Sequence, residues 1–557
     1  MTNIYKSKPV TWTLIFLFCI IWFYALGART LIPTDEGRYA EMAREMLASG
    51  DWITTRLNGI KYFEKPPLQI WMTALAFKVF GLGEWQARLW TGLCGLLGIF
   101  LVGYAGRRVF SPRIGFTAAI VLASSLYWAA LGHLNTLDMG LSAMMAVALC
   151  SLLIAQRNDA NPGEQRGWML ACWAGMALAV LSKGLVGLVL PGAVLVLYTL
   201  ASRDWAIWKR MHFGPGLLVF FAITAPWFVL VSLKNQEFAQ FFFIHEHLQR
   251  FTTKIHKRTG PWHYFIPILV LGIMPWLGVL AQSLWNGRRD ASAGFQPRKM
   301  LLIWAVFIFF FFSISNSKLS SYILPIFPAL ALLIACYLDE APAKAVTISA
   351  ALFGICNVGI LAFVPKLTSL ADIPYKLPLY QAYQPWIAAG AIVGILGSTL
   401  AIWLLRHQRQ WSIVSLGGAA FLTGQLLTLG YEPLGRYAAG VDLVPAIKAE
   451  MGPQIPIYAL GRYEQVLPFY LEHTMTLVQH TSELTFGLAH EPHLWIPKEE
   501  TFIEIWIADQ AKGKKAIAIM RPENFADLKA KGVPMRVIAQ DPRRVAVTND
   551  LKNYAPQ

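Results

Sequence analysis

The amino-acid sequence predicts a polytopic α-helical membrane protein with a small α/β domain at its C-terminal end. Three observations predict it. Hydrophobic side chains make up 56 % of the 557 residues and charged ones 14 %, where soluble domains carry about a quarter charged. Apolar runs of roughly 20 residues, the length that crosses a bilayer as a helix, recur about thirteen times before residue 431. After residue 430 the long apolar runs stop, and short β-prone stretches alternate with helical ones. Disordered, collagen-like and coiled-coil classes are excluded. The 21 tryptophans and 19 tyrosines suit a chain with two membrane interfaces.

The runs lie near 11–28, 88–106, 114–131, 137–155, 168–182, 184–201, 214–233, 262–284, 300–315, 321–338, 344–363, 386–405 and 411–430. The first is expected to be retained, since no small-x-small pattern closes it and Arg29 follows directly. An odd number of spans puts the termini on opposite sides. Every short loop on the N-terminal side is basic, whereas on the other side the basic residues gather in two long loops, 29–88 and 234–261, which weigh little in the positive-inside rule. The N-terminus is therefore expected in the cytoplasm, with residues 1–430 as the membrane domain and 431–557 as a periplasmic α/β domain. In that domain 455–461, 474–479, 515–520, 535–540 and 544–548 read as strands, and 499–509 and 524–531 as helices. The formal charge of +16 has an ordinary cytoplasmic part, set by topology and anionic lipid. Its excess on the outer loops hints at an anionic ligand. All six cysteines fall within apolar runs, so no disulfide is expected.

The first outer loop is the most informative stretch. In Pro33 to Gly50, Tyr39, Met42, Ala43, Met46 and Leu47 form one apolar stripe, with Arg38, Glu41, Arg44 and Glu45 elsewhere around the helix. Such a helix is expected to lie in the interface plane, with Thr34 as N-cap and Asp35 and Glu36 in its first turn. Asp35 is then either a helix-dipole acid or a catalytic group at the membrane surface. A second cluster, Lys61-Tyr62-Phe63-Glu64-Lys65-Pro66-Pro67, precedes an apolar helix from Leu68 to Phe80. It sets Lys65 on a rigid corner near a helix N-terminus, either holding an anion there or snorkelling to the interface.

Asp138, Lys183 and Lys318, the last close to Tyr322, stand at the outer ends of spans, where function is the default reading of an ionisable group and a helix-start acid the alternative for Asp138. The second long loop supplies His245, Glu246, His247, Arg250, Lys254 and Lys257. Two histidines two residues apart do not match the i, i+4 spacing of a helical zinc site. A divalent ion held by Glu64 and His245 remains an option, and no cofactor is required. Walker, dinucleotide and C-x-x-C motifs are absent from the sequence.

The run Thr34-Asp35-Glu36-Gly37-Arg38-Tyr39-Ala40 and the run Tyr62-Phe63-Glu64-Lys65-Pro66-Pro67-Leu68 resemble the GT-C membrane glycosyltransferases related to protein mannosyltransferases. Leu181-Ser182-Lys183-Gly184, Glu246-His247-Leu248-Gln249-Arg250-Phe251 and Lys318 to Pro325 resemble the bacterial aminoarabinose transferase branch. The resemblance covers the whole chain. It implies transfer of 4-amino-4-deoxy-L-arabinose from undecaprenyl phosphate to lipid A phosphates at the periplasmic face of the inner membrane, with resistance to polymyxin and other cationic peptides. The alternative is a polyprenyl-phosphate-sugar glycosyltransferase of the protein-mannosyltransferase type, with another sugar or acceptor. Ser182 stands where threonine is commoner in the branch.

The residue inventory fits that chemistry. Losing its sugar turns a polyprenyl phosphodiester into a phosphomonoester of higher charge, so Lys65, Arg38, Lys183 and Lys318 stabilise the transition state more than the substrate. An acceptor phosphate is already a nucleophile, leaving Asp35 and Asp138 to position the sugar ammonium or the cations. A hydroxyl acceptor would instead make one of them a base. The expected catalytic residues are thus Asp35, Lys65 and Asp138, with Arg38, Tyr62, Glu64, Lys183, His245, Glu246, Arg250, Lys318 and Tyr322 binding substrate. A lipid-linked sugar transporter is the competing class, disfavoured by charges gathered at one face and by the lack of an internal repeat.

Overall fold

The computed structural model describes residue 4 and residues 7–249, 260–289 and 294–551; Arg250, Lys254 and Lys257 lie outside the described residues. Every predicted apolar run becomes helical, but not each as an unbroken span. Among the described residues nine helices are long and apolar enough to cross a membrane, or ten if Phe265–Gly272 and Leu277–Asn286, bent by 105°, form one broken span. Pro275 lies in that break and has no N–H to continue a helix. The run near 114–131 divides into α5 (Pro112–Ser124) and α6 (Leu126–Leu131), with Ser125 extended between them. Among the described residues the thirteen predicted runs thus appear as nine or ten full-length helices plus shorter, interrupted or more polar ones. Among these are α8 (Pro162–Lys183), which begins with Glu164 and Arg166, and α9 (Val186–Ser202), which has Pro191 inside it.

α7 (Leu137–Ala155) is the bundle's central helix, with 94 % of its apolar window buried. It packs against α4 (Glu84–Val109) and α8, and its first turn therefore meets the outer face at the middle of the bundle. All six cysteines are free.

Above the bundle the first long loop folds into α2 (Asp35–Ser49), a hairpin of β1 (Arg56–Leu57) and β2 (Ile60–Lys61), and α3 (Leu68–Phe80). The interface-plane reading of α2 is corrected here: Glu36, Arg38, Glu41 and Glu45 are buried, as are Tyr39 and Met42. The C-terminal domain covers the face expected to meet water. Its six strands, β3 (Ile457–Leu460), β4 (Thr476–Val478), β5 (Trp495–Ile496), β6 (Ile517–Met520), β7 (Arg536–Asp541) and β8 (Arg544–Thr548), form one sheet in the order β5-β4-β3-β6-β8-β7. β5, β4, β3 and β6 run parallel, and β8 pairs antiparallel with both β6 and β7. Met42, Met46 and Phe77 share one apolar core with Leu467, Phe469 and Ile519. At Gly37 a Cβ would meet the Gln465 carbonyl oxygen at 2.5 Å, so only glycine admits this approach.

A buried ionic node ties this layer to the membrane. The Glu36 carboxylate accepts from Arg29 Nη1 at 2.9 Å, from Arg88 Nε at 2.6 Å and Nη2 at 2.9 Å, and from the backbone N–H groups of Ile32 at 3.0 Å and Asn135 at 2.9 Å. Arg88 also donates to the carbonyls of Leu26, Arg29 and Thr30. Burial alone would raise the Glu36 carboxyl; the two guanidinium groups hold it well below the usual carboxylate range. Its contribution to stability is therefore complete above the unfolded carboxyl pKa and lost as pH falls through the lower folded value. Glu36→Gln strands two buried cations, and it is expected to cost about 3 to 5 kcal/mol, read as a large drop in the thermal midpoint of the detergent-solubilised protein. An unchanged midpoint would refute the node's structural role.

Candidate active site

A cavity of about 510 Å³ lies where the first long loop meets the membrane helices. Its polar lining is Lys65, Lys183, Glu246, Tyr322, Ser315 and Ser317, and its apolar lining includes Leu141, Val186, Val189, Phe243 and Phe312. Local structure explains how the cations arrive there. α8 ends at Lys183 because Gly184 takes φ 105, which returns the chain into α9 with the lysine at the turn. Lys183 Nζ pairs directly with Asp138 Oδ1, on the first turn of α7, and lies 4.4 Å from the Tyr322 ring centroid. Lys65 precedes Pro66-Pro67 and the start of α3; its ammonium donates to the Glu64 carbonyl at 2.8 Å and stands 3.7 Å from Glu246 Oε2. Two cations and an aromatic ring thus line one largely apolar chamber.

Asp35 and Arg38 form a second cluster, on α2. Arg38 Nη1 donates to Asp35 Oδ1 at 3.4 Å, and Arg38 Nη2 lies 3.1 Å from Glu483 Oε1 of the C-terminal domain. The Arg38 guanidinium sits 5.9 Å from the Tyr62 ring centroid. Tyr62 Oη is buried with no hydrogen-bond partner among the described residues. Burial raises the Tyr39 hydroxyl far above its ordinary value, assisted by the Asp35, Glu64 and Asp138 carboxylates and opposed by Arg38. Thr34 makes no side-chain cap, so the helix-start acid has Arg38 as its partner rather than a capping box.

The other expected residues are placed as follows. Lys318 Nζ donates to the carbonyls of Ser313 and Ser315, at 3.0 Å for Ser315, and so closes the end of the helix Pro297–Ile314 without lining the cavity. His245 Nδ1 lies 3.4 Å from Glu246 Oε1, and its ring stacks on Phe241 at 5.1 Å. Among the described residues no three His, Cys, Asp or Glu side chains converge as metal ligands, so Glu64 and His245 lack a third. Arg250 is outside the described residues.

Sequence reasoning missed Glu483, Glu36 and the arginines that grip Glu36. Arg88 carried a readable signal, a guanidinium at the start of an apolar run, where an ion must find a partner. Glu483, on an unremarkable loop, carried none.

Comparison with known proteins places this geometry in a family. Residues 443–549 match the family described as the aminoarabinose transferase C-terminal domain, and residues 64–230 match dolichyl-phosphate-mannose-protein mannosyltransferase. An undecaprenyl phosphate-alpha-4-amino-4-deoxy-L-arabinose arabinosyl transferase of Edwardsiella ictaluri is 30 % identical over 93 % of this chain and 95 % of its own. A Proteus mirabilis protein of the same name is 32 % identical over 77 % of this chain and 75 % of its own. The crystal structure of ArnT from Cupriavidus metallidurans bound to undecaprenyl phosphate superposes with a TM-score of 0.94, at 40 % identity, over 99 % of this chain and all of that one. With its cavity, its two lysines and its fused C-terminal sheet, the chain belongs to the bacterial aminoarabinose transferase family of GT-C membrane glycosyltransferases.

Proposed function

We propose that this chain transfers 4-amino-4-deoxy-L-arabinose from undecaprenyl phosphate to phosphate groups of lipid A, at the periplasmic face of the bacterial inner membrane. One observation carries the reading: a single cavity is lined by apolar side chains and by Lys65, Lys183 and Tyr322. A polyprenyl phosphate has the same division, with a hydrocarbon tail and a charged head.

In the reaction an acceptor phosphate oxygen attacks the anomeric carbon and the bond from that carbon to the donor phosphate oxygen breaks. Charge grows on the departing phosphate, where Lys65 and Lys183 stabilise it more in the transition state than in the bound donor. The Asp138 contact keeps Lys183 neutralised and aimed before the donor arrives; the arriving phosphate then takes over part of that pairing. Asp138 and Asp35 are then available to the ammonium of the sugar. These cations supply the charge stabilisation without an obligatory cofactor. The transferred sugar brings a positive charge to each modified phosphate. That lowers the attraction of the cell surface for polymyxin and other cationic peptides.

Lipid A extracted from cells with and without this chain tests the reading by mass spectrometry: aminoarabinose adducts are expected only with it, and identical spectra would refute it. In the purified enzyme Lys65→Met and Lys183→Met are each expected to lower turnover per folded molecule by about 10²- to 10³-fold, the usual loss of one preorganised charge contact. Turnover within twofold of wild type in both would remove the lysines from the mechanism. Wild-type transfer is expected to decline below about pH 6, where a phosphomonoester takes up its second proton, and to do so equally in Asp35→Asn and Asp138→Asn. Loss of that acid limb in either variant would instead point to an essential base and a hydroxyl acceptor.

A further inference from the structure

The parallel strands of the C-terminal sheet end side by side. Register pairs Leu460 of β3 with Val478 of β4 and with Met520 of β6, so Arg462, His480 and Arg521 leave the sheet at one edge. β8 enters at the same edge, since Val545 pairs with Met520, and this sets Arg544 and Arg543 beside Arg521. Chain order also reverses here: β4 lies on one side of β3 and β6 on the other. In open α/β sheets the crevice outside the carboxyl ends at such a reversal is where ligands bind. Gly461, at φ 67, turns the chain out of β3, and the helix Pro522–Ala530 starts directly after Arg521 with its N-terminal amides at this edge.

The charge at the edge is lopsided. Arg462 Nε lies 3.0 Å from Glu464, and Arg544 shares that carboxylate at 3.0 Å and reaches Asp541 at 3.1 Å. Arg543 donates to the Ala438 carbonyl at 3.2 Å, with its guanidinium 5.9 Å from the Tyr437 ring centroid. Arg521 has no ion-pair or hydrogen-bond partner for its side chain among the described residues and is exposed. Four arginines therefore stand with two paired carboxylates, and His480 lies on the adjoining loop; Glu523, in the first turn of the helix, is exposed. Burial lowers the Arg462 guanidinium, and the crowding of Arg543, Arg544 and Arg521 adds to it while Glu464 opposes. The edge is linked to the cluster of Asp35 and Arg38, because Glu483, three residues after His480, pairs with Arg38, which in turn contacts Asp35.

We propose that this edge, with Arg462 and Arg521 as its principal contacts and Arg543 beside them, binds a phosphomonoester of the acceptor other than the one that receives the sugar. The site rests on the phosphate-acceptor reading above and deepens it: an acceptor with two phosphates is gripped at one while the other is presented to the donor. Guanidinium forks suit this role because they meet a phosphate through two parallel N–H contacts.

The test measures binding of bisphosphoryl lipid A, monophosphoryl lipid A and inorganic phosphate to the full-length protein in nanodiscs. Wild type is expected to bind the bisphosphoryl form more tightly, and Arg462→Gln with Arg521→Gln to weaken that binding about tenfold, the scale of one lost charge-assisted contact, while shifting the monophosphoryl form less than twofold. If the double variant fails to fold, Arg521→Gln alone carries the test, since its side chain leaves no partner stranded. Equal affinity of wild type for the two lipids, or an unchanged preference in the variants, would overturn the proposal. Inorganic phosphate binding as tightly as the glycolipid would overturn the acceptor assignment in favour of a free anion. Transfer assayed in parallel keeps the two readings apart: a wild type that modifies neither lipid refutes the proposed function, while the binding arms still decide the site.

Discussion

Glu36 cannot be buried at the membrane edge as a bare carboxylate, and neither Arg29 nor Arg88 can be buried there alone. Removing such ions from water costs several kcal/mol each unless they meet one another with their hydrogen bonds filled. The node meets that condition through two guanidinium groups and two backbone amides on one carboxylate. Its geometry then dictates much of the outer layer. The grip on Glu36 fixes the first turn of α2, hence Asp35 and Arg38. The bond from Asn135 fixes the approach to α7, hence Asp138. Two carboxylates from distant parts of the sequence thus owe their backbone positions to contacts made by a third, buried one.

The same economy of charge governs the cavity. Lys183 rests on Asp138 and Tyr322, and Lys65 on the Glu64 carbonyl with Glu246 close by. Each cation is satisfied by a contact that an incoming phosphate can replace, so little reorganisation accompanies donor binding. The apolar walls give the hydrocarbon of a lipid donor a place without asking any polar group to lose its partner. The C-terminal domain completes this arrangement from above, since its Glu483 holds Arg38 and its backbone at Gln465 closes over Gly37.

Much of this was legible in the sequence, for reasons that mark the limits of such reading. The apolar runs, the helix from Leu68 to Phe80 and the five longer strands after residue 455 follow from periodicity, a local property. Lys183 and Asp138 were recognisable as charges at span ends, and Lys65 from the Pro66-Pro67 corner that sets it near a helix N-terminus. Breaks inside spans were harder to read, since Ser125 and Pro275 act through backbone geometry that composition does not reveal. The burial of α2 on all sides was invisible, because the covering surface comes from residues more than 400 positions later in the chain. The pairing of Arg38 with Glu483 escaped for the same reason: long-range partners of surface charges leave no periodic trace.

The account turns on Lys65 and Lys183 as the joint seat of the donor phosphate, and a cryo-EM structure of this protein with undecaprenyl phosphate in nanodiscs tests that most directly. The phosphate is expected within about 4 Å of both ammonium groups, the range of a direct ion pair, with its hydrocarbon between α9 and the helix Pro297–Ile314 and Lys183 drawn away from Asp138. A phosphate bound elsewhere, with the Lys183 to Asp138 contact intact, would contradict the account.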